Sequence, residues 1–384
     1  MGQDERKDLI RQIQKYRKSK LVCYLTSDRA GVPNAQISGD AIRPIYNHLR
    51  PLGFRGTKRI DLFLYSRGGS VDVPWPLITM LREYCDELNV LIPFRAHSAT
   101  TLIALGADSI IMGKKGELGP IDPIMTKQLG EQSAGQEAIP VEDVMSYVAF
   151  LKERVGLGDQ ESLASMSHIL ADRLSPWTLG SMYRIHSHIR SIARKLITSQ
   201  HQPPDEQSIN SIIETLAEKT YFHGHAIGRN EAKSMGLNVH NAPERLDNLL
   251  WELFEEYELL MKLNEPLDPR IVIPTDQEEY TEDLILGIIE SEVRTDLFSG
   301  NYKVKKVRQL PPQLNLSLNL QFPPSITQDT LPQQLNELLQ AFIQQLQSQV
   351  QTILQNELNK QAPVKGIQGD LLNASWKNNP TTPR

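Results

Sequence analysis

At 384 residues, with 40% apolar and 23% charged side chains, the chain has material for one large globular domain or two ordinary ones. Its net charge of -5 leaves no basic excess for neutralising phosphates, which argues against nucleic-acid binding. No run of about eighteen uncharged apolar residues occurs, so no membrane-spanning helix is expected.

The N-terminal "MGQDERKDLIRQIQKYRKSK" reads as a charged helix with no apolar core of signal-peptide length. Gly2 is followed at position six by Arg6, where a myristoylation signal needs Ser or Thr. A cytoplasmic location is the expectation. Cys23 and Cys85 sit in apolar or helical contexts and read as buried thiols of a reducing compartment.

"KLVCYLTS" (20–27) is an apolar run of strand length, followed by the turn-rich "DRAGVPNAQISGD". "DAIRPIYNHLRPLG" has helical spacing, and "RIDLFLYS" (59–66) is a second strand that stops at Gly68-Gly69. In "PWPLITMLREYCDEL" (74–88), Leu77, Met80, Leu81, Tyr84 and Leu88 recur at helical steps behind an early proline. "NVLIPFRA" is a third strand, "SATTLIALGA" a short buried helix and "DSIIMGK" a fourth strand. Strands alternating with helices predict an α/β core with parallel pairing.

Residues 142–219 turn helical and read as an insertion, with "EDVMSYVAFLKERV" and "SMYRIHSHIRSIARKLI" as its amphipathic segments. "YFHGHAIGRNEAKSMGLNV" (221–239) returns to the core, and 243–263 is an amphipathic helix. A break near "PLDPR" closes the first domain at about 268, with a helical or linker segment over 269–310. Residues 311–384 form a Pro- and Gln-rich tail. Leu335, Leu339, Phe342, Leu346, Val350, Ile353 and Leu358 give it a long helical seam for self-association or docking, and its end reads as unstructured.

Two features carry chemistry. Paired glycines in "SRGGS" at a strand end permit a tight turn with backbone N–H groups facing outward. A second strand-to-helix junction, at Ser98, adds the N–H groups of Ala99 and Thr100. Side by side on a parallel sheet, the two junctions aim donors at one point, as a tetrahedral oxyanion requires. Each feature alone has a bland reading, a turn or a small packed residue.

Together, "LYSRGGSVDVPWPLITMLREY" and "VLIPFRAHSATTLIALGADSIIMGKKGELGPIDP" resemble the ClpP/crotonase superfamily. They are more closely similar to the serine dehydrogenase proteinase family, relatives of signal peptide peptidase A. The resemblance covers roughly residues 20–130 and resumes at 221–239, about a third of the chain. It implies repeated ββα units, here with a helical insertion and a C-terminal Gln-rich helical extension, and a homo-oligomer acting on a peptide or protein substrate. It places Ser98 as the nucleophile, Gly69 (with Gly68) and Ala99 as the oxyanion hole, and Asp122 close to the position of a Clp-type catalytic histidine. The usual proline before Gly-Gly is Arg67 here, and the glycines that commonly flank the serine are missing.

The general base stays open. His223, in the segment that returns to the core, would make a Ser98–His223–Asp122 set, and Lys152 is the first downstream lysine of the helical stretch. The third option is no competent base in this chain. His97 reads as structural because neighbouring side chains diverge, and His186, His188 and His201 fall in helical or loop stretches. The H-x-H pairs (186/188 and 223/225) lack partners at metal spacing, so neither a metal nor a cofactor is expected. The function expected is hydrolysis of peptide bonds through an acyl-enzyme on Ser98. The alternative is a catalytically impaired scaffold of the same fold, recruiting a protein partner through residues 328–361. Coenzyme A enolate chemistry is disfavoured, because neither the carboxylates nor the adenine-binding region it needs is found.

Overall fold

The structure, a computed structural model, describes residues 2–53, 58–121, 124–128, 136–219, 224–313, 315–317 and 332–379. Helix α1 (Gln3–Arg17) closes at Lys18 in the left-handed conformation. There follow β1 (Lys20–Thr26), α2 (Ile42–Leu49), β2 (Arg59–Tyr65), α3 (Pro74–Arg82), β3 (Glu87–Ile92), β4 (Arg95–Ala96), α4 (Ala99–Leu105), β5 (Ser109–Met112) and β6 (Glu117–Leu118). An antiparallel pair, β7 (Ile124–Gln128) and β8 (Gln136–Pro140), leads into α5 (Val141–Phe150), which runs on into a π-helical turn (Leu151–Val155). Then come α6 (Gln160–Arg173), α7 (Pro176–Thr198), α8 (Glu206–Glu214), β9 (Ile227–Gly228), α9 (Arg229–Ser234), β10 (Val239–Asn241) and α10 (Glu244–Leu260). The chain ends with α11 (Pro269–Val272), β11 (Glu279–Glu290), β12 (Thr295–Arg308), α12 (Gln333–Gln361) and β13 (Val364–Asn378).

The chain divides into two compact units. The first holds Met1–Leu267, Asp283–Gly300 and Asn373–Arg384, and the second Asp268–Glu282 and Asn301–Leu372. In the first unit the sheet order is β10-β5-β3-β2-β1-β11, parallel at every pairing except the antiparallel β1–β11 edge. Strands covered on both faces read as continuous apolar runs, which is why β1 and β2 stand out in the sequence. The period-2 alternation then sorts their side chains into two layers. Val22, Tyr24, Ile60, Leu62 and Leu64 face α2, α3, α4 and α7, while Leu21, Cys23, Leu25, Phe63 and Tyr65 face α1 and α10. The expected α/β architecture with parallel pairing is the one observed.

Three expectations change. The helix after Pro74 stops at Arg82, because the Asp86 amide donates to Lys58 O at 2.7 Å and draws the chain into β3 from Glu87. Of residues 269–310, expected as a helical or linker segment, only Pro269–Val272 are helical, and from Glu279 to Arg308 the chain forms two long strands. Tyr302 and Val304 are buried between half-buried Lys303 and Lys305, an alternation that a helix cannot satisfy. The end of the chain carries β13 as far as Asn378, where an unstructured tail was expected. Both cysteines are buried and free, and burial pushes the Cys85 thiol up to about 12, which removes a thiolate nucleophile. Among the described residues no helix is long and apolar enough to cross a membrane, and no cluster of His, Cys, Asp and Glu has the makings of a metal site.

Candidate active site

The site is assembled where β2 and β3 run out. Beyond Tyr65 the chain does not turn back at once: Ser66 pairs with the β4 segment, its amide donating to Arg95 O at 3.0 Å while the His97 amide donates to Ser66 O at 3.1 Å. That pairing carries the residue after His97 to the Gly-Gly turn. Ser66 Oγ, 2.7 Å from Thr26 Oγ1, takes the Gly68 amide at 3.0 Å. Ile37 clamps the other side, donating to Gly68 O at 2.7 Å and accepting from the Ser70 amide at 2.8 Å. Because successive amides of an extended strand point to opposite sides, this pairing directs the Gly69 N–H away from Ile37.

Both glycines are required by space as well as by backbone angle. Gly68 has φ +114°, and a β-carbon there would stand 2.7 Å from Ser98 Cβ. Gly69 has φ +155°, and its β-carbon would lie 2.3 Å from Ile37 O.

Ser98 itself has φ +53° and ψ -119°, a region that costs a non-glycine residue about 1–3 kcal/mol. The strain is held by its surroundings. The Thr100 amide donates to His97 O at 2.9 Å and the Leu102 amide to Ser98 O at 3.1 Å. Thr101 Oγ1 lies 2.8 Å from the carbonyls of both Ala96 and Gly119, its one proton serving either, and ties the helix start to the "ELGP" strand. The result is a sharp strand-to-helix elbow that presents a serine hydroxyl.

Of the candidate donors, then, the amides of Gly68 and Thr100 are spent within the protein, and those of Gly69 and Ala99 remain as the candidate pair. His97 turns away from the serine. Its ring lies against Gly119 and Nε2 meets Glu117 Oε1 at 3.1 Å, while burial and the nearby Arg67 and Arg95 hold its pKa below the ordinary histidine value. Arg67, which replaces the expected proline, pairs with Asp28 at 2.8 Å beside Arg95 and the Tyr65 hydroxyl. Burial would raise the Asp28 carboxyl, but Tyr65 and Arg67 hold it below the usual range.

The structure places the other sequence candidates as follows. Asp122 and His223 lie outside the described residues. Lys152 is exposed on the π-helical turn, where nothing supplies the desolvation that a lysine base needs. Ser98, Gly68 and Gly69 open onto one cavity of about 930 Å³, and with them stand Asp72, Arg184 and His188. His188, a helix histidine with nothing in the sequence to mark it, meets Asp72 Oδ1 through Nε2 at 3.1 Å.

A second serine–histidine–aspartate arrangement lies elsewhere in the unit. His48 Nδ1 is 2.8 Å from Ser291 Oγ, and Nε2 is 3.0 Å from Asp296 Oδ2. All three are buried, His48 and Ser291 completely. No substrate reaches them, so the arrangement joins α2 to the β11–β12 hairpin as structure.

Residues 2–134, which hold the Gly-Gly turn, Ser98 and the "ELGP" strand, match the family of ClpP-like, SDH-type serine proteinases. Two uncharacterized proteins of Methanocaldococcus jannaschii, MJ0137 and MJ1495, are similar to the chain, 29% identical over 200 residues and 26% identical over 198. Those alignments cover 52% and 51% of this chain, and the chain spans 59% and 57% of the relatives' length. Similar solved structures include ClpP1 from Listeria monocytogenes (14% identity, TM-score 0.32, 62% of this chain and 99% of that one). Two mutants of the 1510-N membrane-bound stomatin-specific protease also match. One covers 38% of this chain and 69% of its own (16% identity, TM-score 0.24). The other, in complex with a substrate peptide, covers 62% and 99% (17% identity, TM-score 0.24).

Proposed function

We propose that this protein is a serine peptidase that cuts peptide bonds through an acyl-enzyme on Ser98. The observation that carries the reading is the strained elbow. A serine held at φ +53° at the end of a parallel sheet, against a glycine that admits no β-carbon, faces an open cavity. Such strain costs stability and persists at sites where a side chain must be aimed. The amides of Gly69 and Ala99 are the donors for the tetrahedral oxyanion, and each supplies a hydrogen bond that strengthens as the charge forms. The family match over residues 2–134 supports the same chemistry. The substrate is a peptide or protein segment laid across the cavity.

A fluorophosphonate probe tests the reading. It is expected to label the folded, full-length protein and to leave Ser98→Ala unlabelled. Wild-type protein that stays unlabelled under the same conditions would remove Ser98 as a nucleophile.

A second reading rests on α12. Leu335, Leu338, Phe342, Leu346, Ile353 and Leu358 are exposed along it, an apolar face fit for recruiting a protein partner to a scaffold of this fold. If Ser98 proves inert, that face is the protein's remaining functional surface.

A further inference from the structure

Resting on the Ser98 reading, we propose that His188 is its general base and that Asp72 orients the imidazole. Helices α3, α4 and α7 meet at Gly106. A β-carbon there would lie 2.7 Å from Ile78 Cγ1 and 3.0 Å from Leu196 Cδ2, and Gln200 Nε2 donates to Leu105 O at 2.8 Å. The C-terminal ends of α4 and α7 are therefore together, and further back along each helix Ser98 and His188 open onto one cavity, which sets the two helices side by side. At about 1.5 Å per residue, eight residues back from Gly106 is Ser98 and eight back from Leu196 is His188, each about 12 Å from that contact. Six residues before Ile78 is Asp72, in the turn that enters α3. The common cavity of Ser98, His188 and Asp72 agrees with this levelling of the three elements.

The position of His188 is fixed by the helix it stands on. Ile189, Ile192 and Leu196 are buried in the same core layer as α4, so α7 is seated against α4 while His188 stays at the cavity. With Nε2–H donated to Asp72 Oδ1, the lone pair of the imidazole sits on Nδ1. Three other described histidines are committed elsewhere: His97 meets Glu117, His225 meets Glu231 and His186 lies against Arg190.

The step balances within these groups. Ser98 Oγ gives its proton to His188 Nδ1 as the Oγ–C bond forms, and the carbonyl pair moves onto the oxygen held by the Gly69 and Ala99 amides. On collapse the C–N bond breaks and the leaving amine takes the proton from Nδ1. Water, deprotonated by the same nitrogen, then releases the acid and restores Ser98.

The test is the pH dependence of fluorophosphonate labelling, measured on full-length wild type, Ser98→Ala, His188→Gln, His188→Ala and Asp72→Asn. His188→Gln is expected to slow labelling at neutral pH by about 100-fold or more and to abolish the near-neutral inflection. Imidazole added to His188→Ala is expected to restore part of the rate. Asp72→Asn, which removes a charge from an exposed pair, is expected to slow labelling by about fivefold. Labelling that needs Ser98 but keeps its rate and inflection in His188→Gln overturns the base and leaves the nucleophile standing. A wild type that is not labelled removes both. Should His188→Gln fail to fold by circular dichroism, Asp72→Asn and imidazole rescue of His188→Ala decide, and unslowed labelling in the one with no rescue in the other overturns the proposal.

Discussion

At the scale of single residues, the site is a contest for the space between Gly68 and Ser98. The serine takes a backbone conformation that L-residues avoid, and the glycine admits no side chain on the facing surface. Gly68→Ala would put a β-carbon 2.7 Å from Ser98 Cβ at a φ of +114°. The expected outcome is a loss of about 1–3 kcal/mol in stability, read as a lower urea midpoint, together with at least a tenfold fall in Ser98 labelling. Labelling and stability equal to wild type would show that the serine is not aimed by this contact. The elbow was legible in the sequence because its parts are local: two glycines at a strand end and a small residue at a helix start. His188 was not legible. Its place on the Ser98 cavity comes from the packing of α7 on α4, ninety positions later in the chain, and an amphipathic helix gives its histidines no mark of their own.

At the scale of elements, the polar junction around His48 fixes α2 to the β11–β12 hairpin. Burial holds the His48 pKa below its ordinary value of 6.5 although Asp296 pulls the other way. Burial would raise the Asp296 carboxyl, but His48 and Arg294 hold it below its ordinary value of 3.8. Both shifts have the same sign for stability. With the folded pKa of His48 depressed, the unfolded chain binds more protons below pH 6.5, so stability present above that pH is lost as the pH falls through the folded pKa. Asp296 adds a second loss below pH 3.8. The urea midpoint is therefore expected to fall between pH 7 and pH 5 in wild type and to fall less in His48→Asn. An equal fall in both would assign the acid sensitivity to other groups.

The same junction shows why parts of the fold escaped the sequence. The strands β1, β2 and β3 are buried almost throughout and mostly apolar because both faces are covered, whereas β11 and β12 mix buried and part-exposed positions. Charged residues in "TDLFSGNYKVKKVR" broke the run that marks a strand, and the period-2 burial of Tyr302 and Val304 shows only once a neighbouring strand defines the inside.

At the scale of the whole molecule, the open matter is what the second unit's helix is for. The sequence seam of α12 divides in the structure. Leu339 and Val350 are half-buried, while Leu335, Phe342, Leu346, Ile353 and Leu358 are exposed and are joined by Leu338 and Leu354. An apolar stripe on a helix of 29 residues spans about 43 Å, and water is a poor partner for it. The charges on the helix are few: Glu337 near one end, Glu357 and Lys360 near the other. Two copies laid antiparallel would set Glu337 of one near the Glu357–Lys360 pair of its partner, and the apolar stripe is what the two faces share. Sedimentation of the full-length protein is expected to show self-association. Because each buried Leu or Phe contributes about 1.5–3 kcal/mol, Leu338→Glu combined with Phe342→Glu should weaken that association by about 100-fold or more. Ser98 labelling measured on the same variant separates assembly from catalysis. Unchanged association would assign the stripe to a different protein, and lost labelling would mean that the assembled state is the one that keeps the elbow competent.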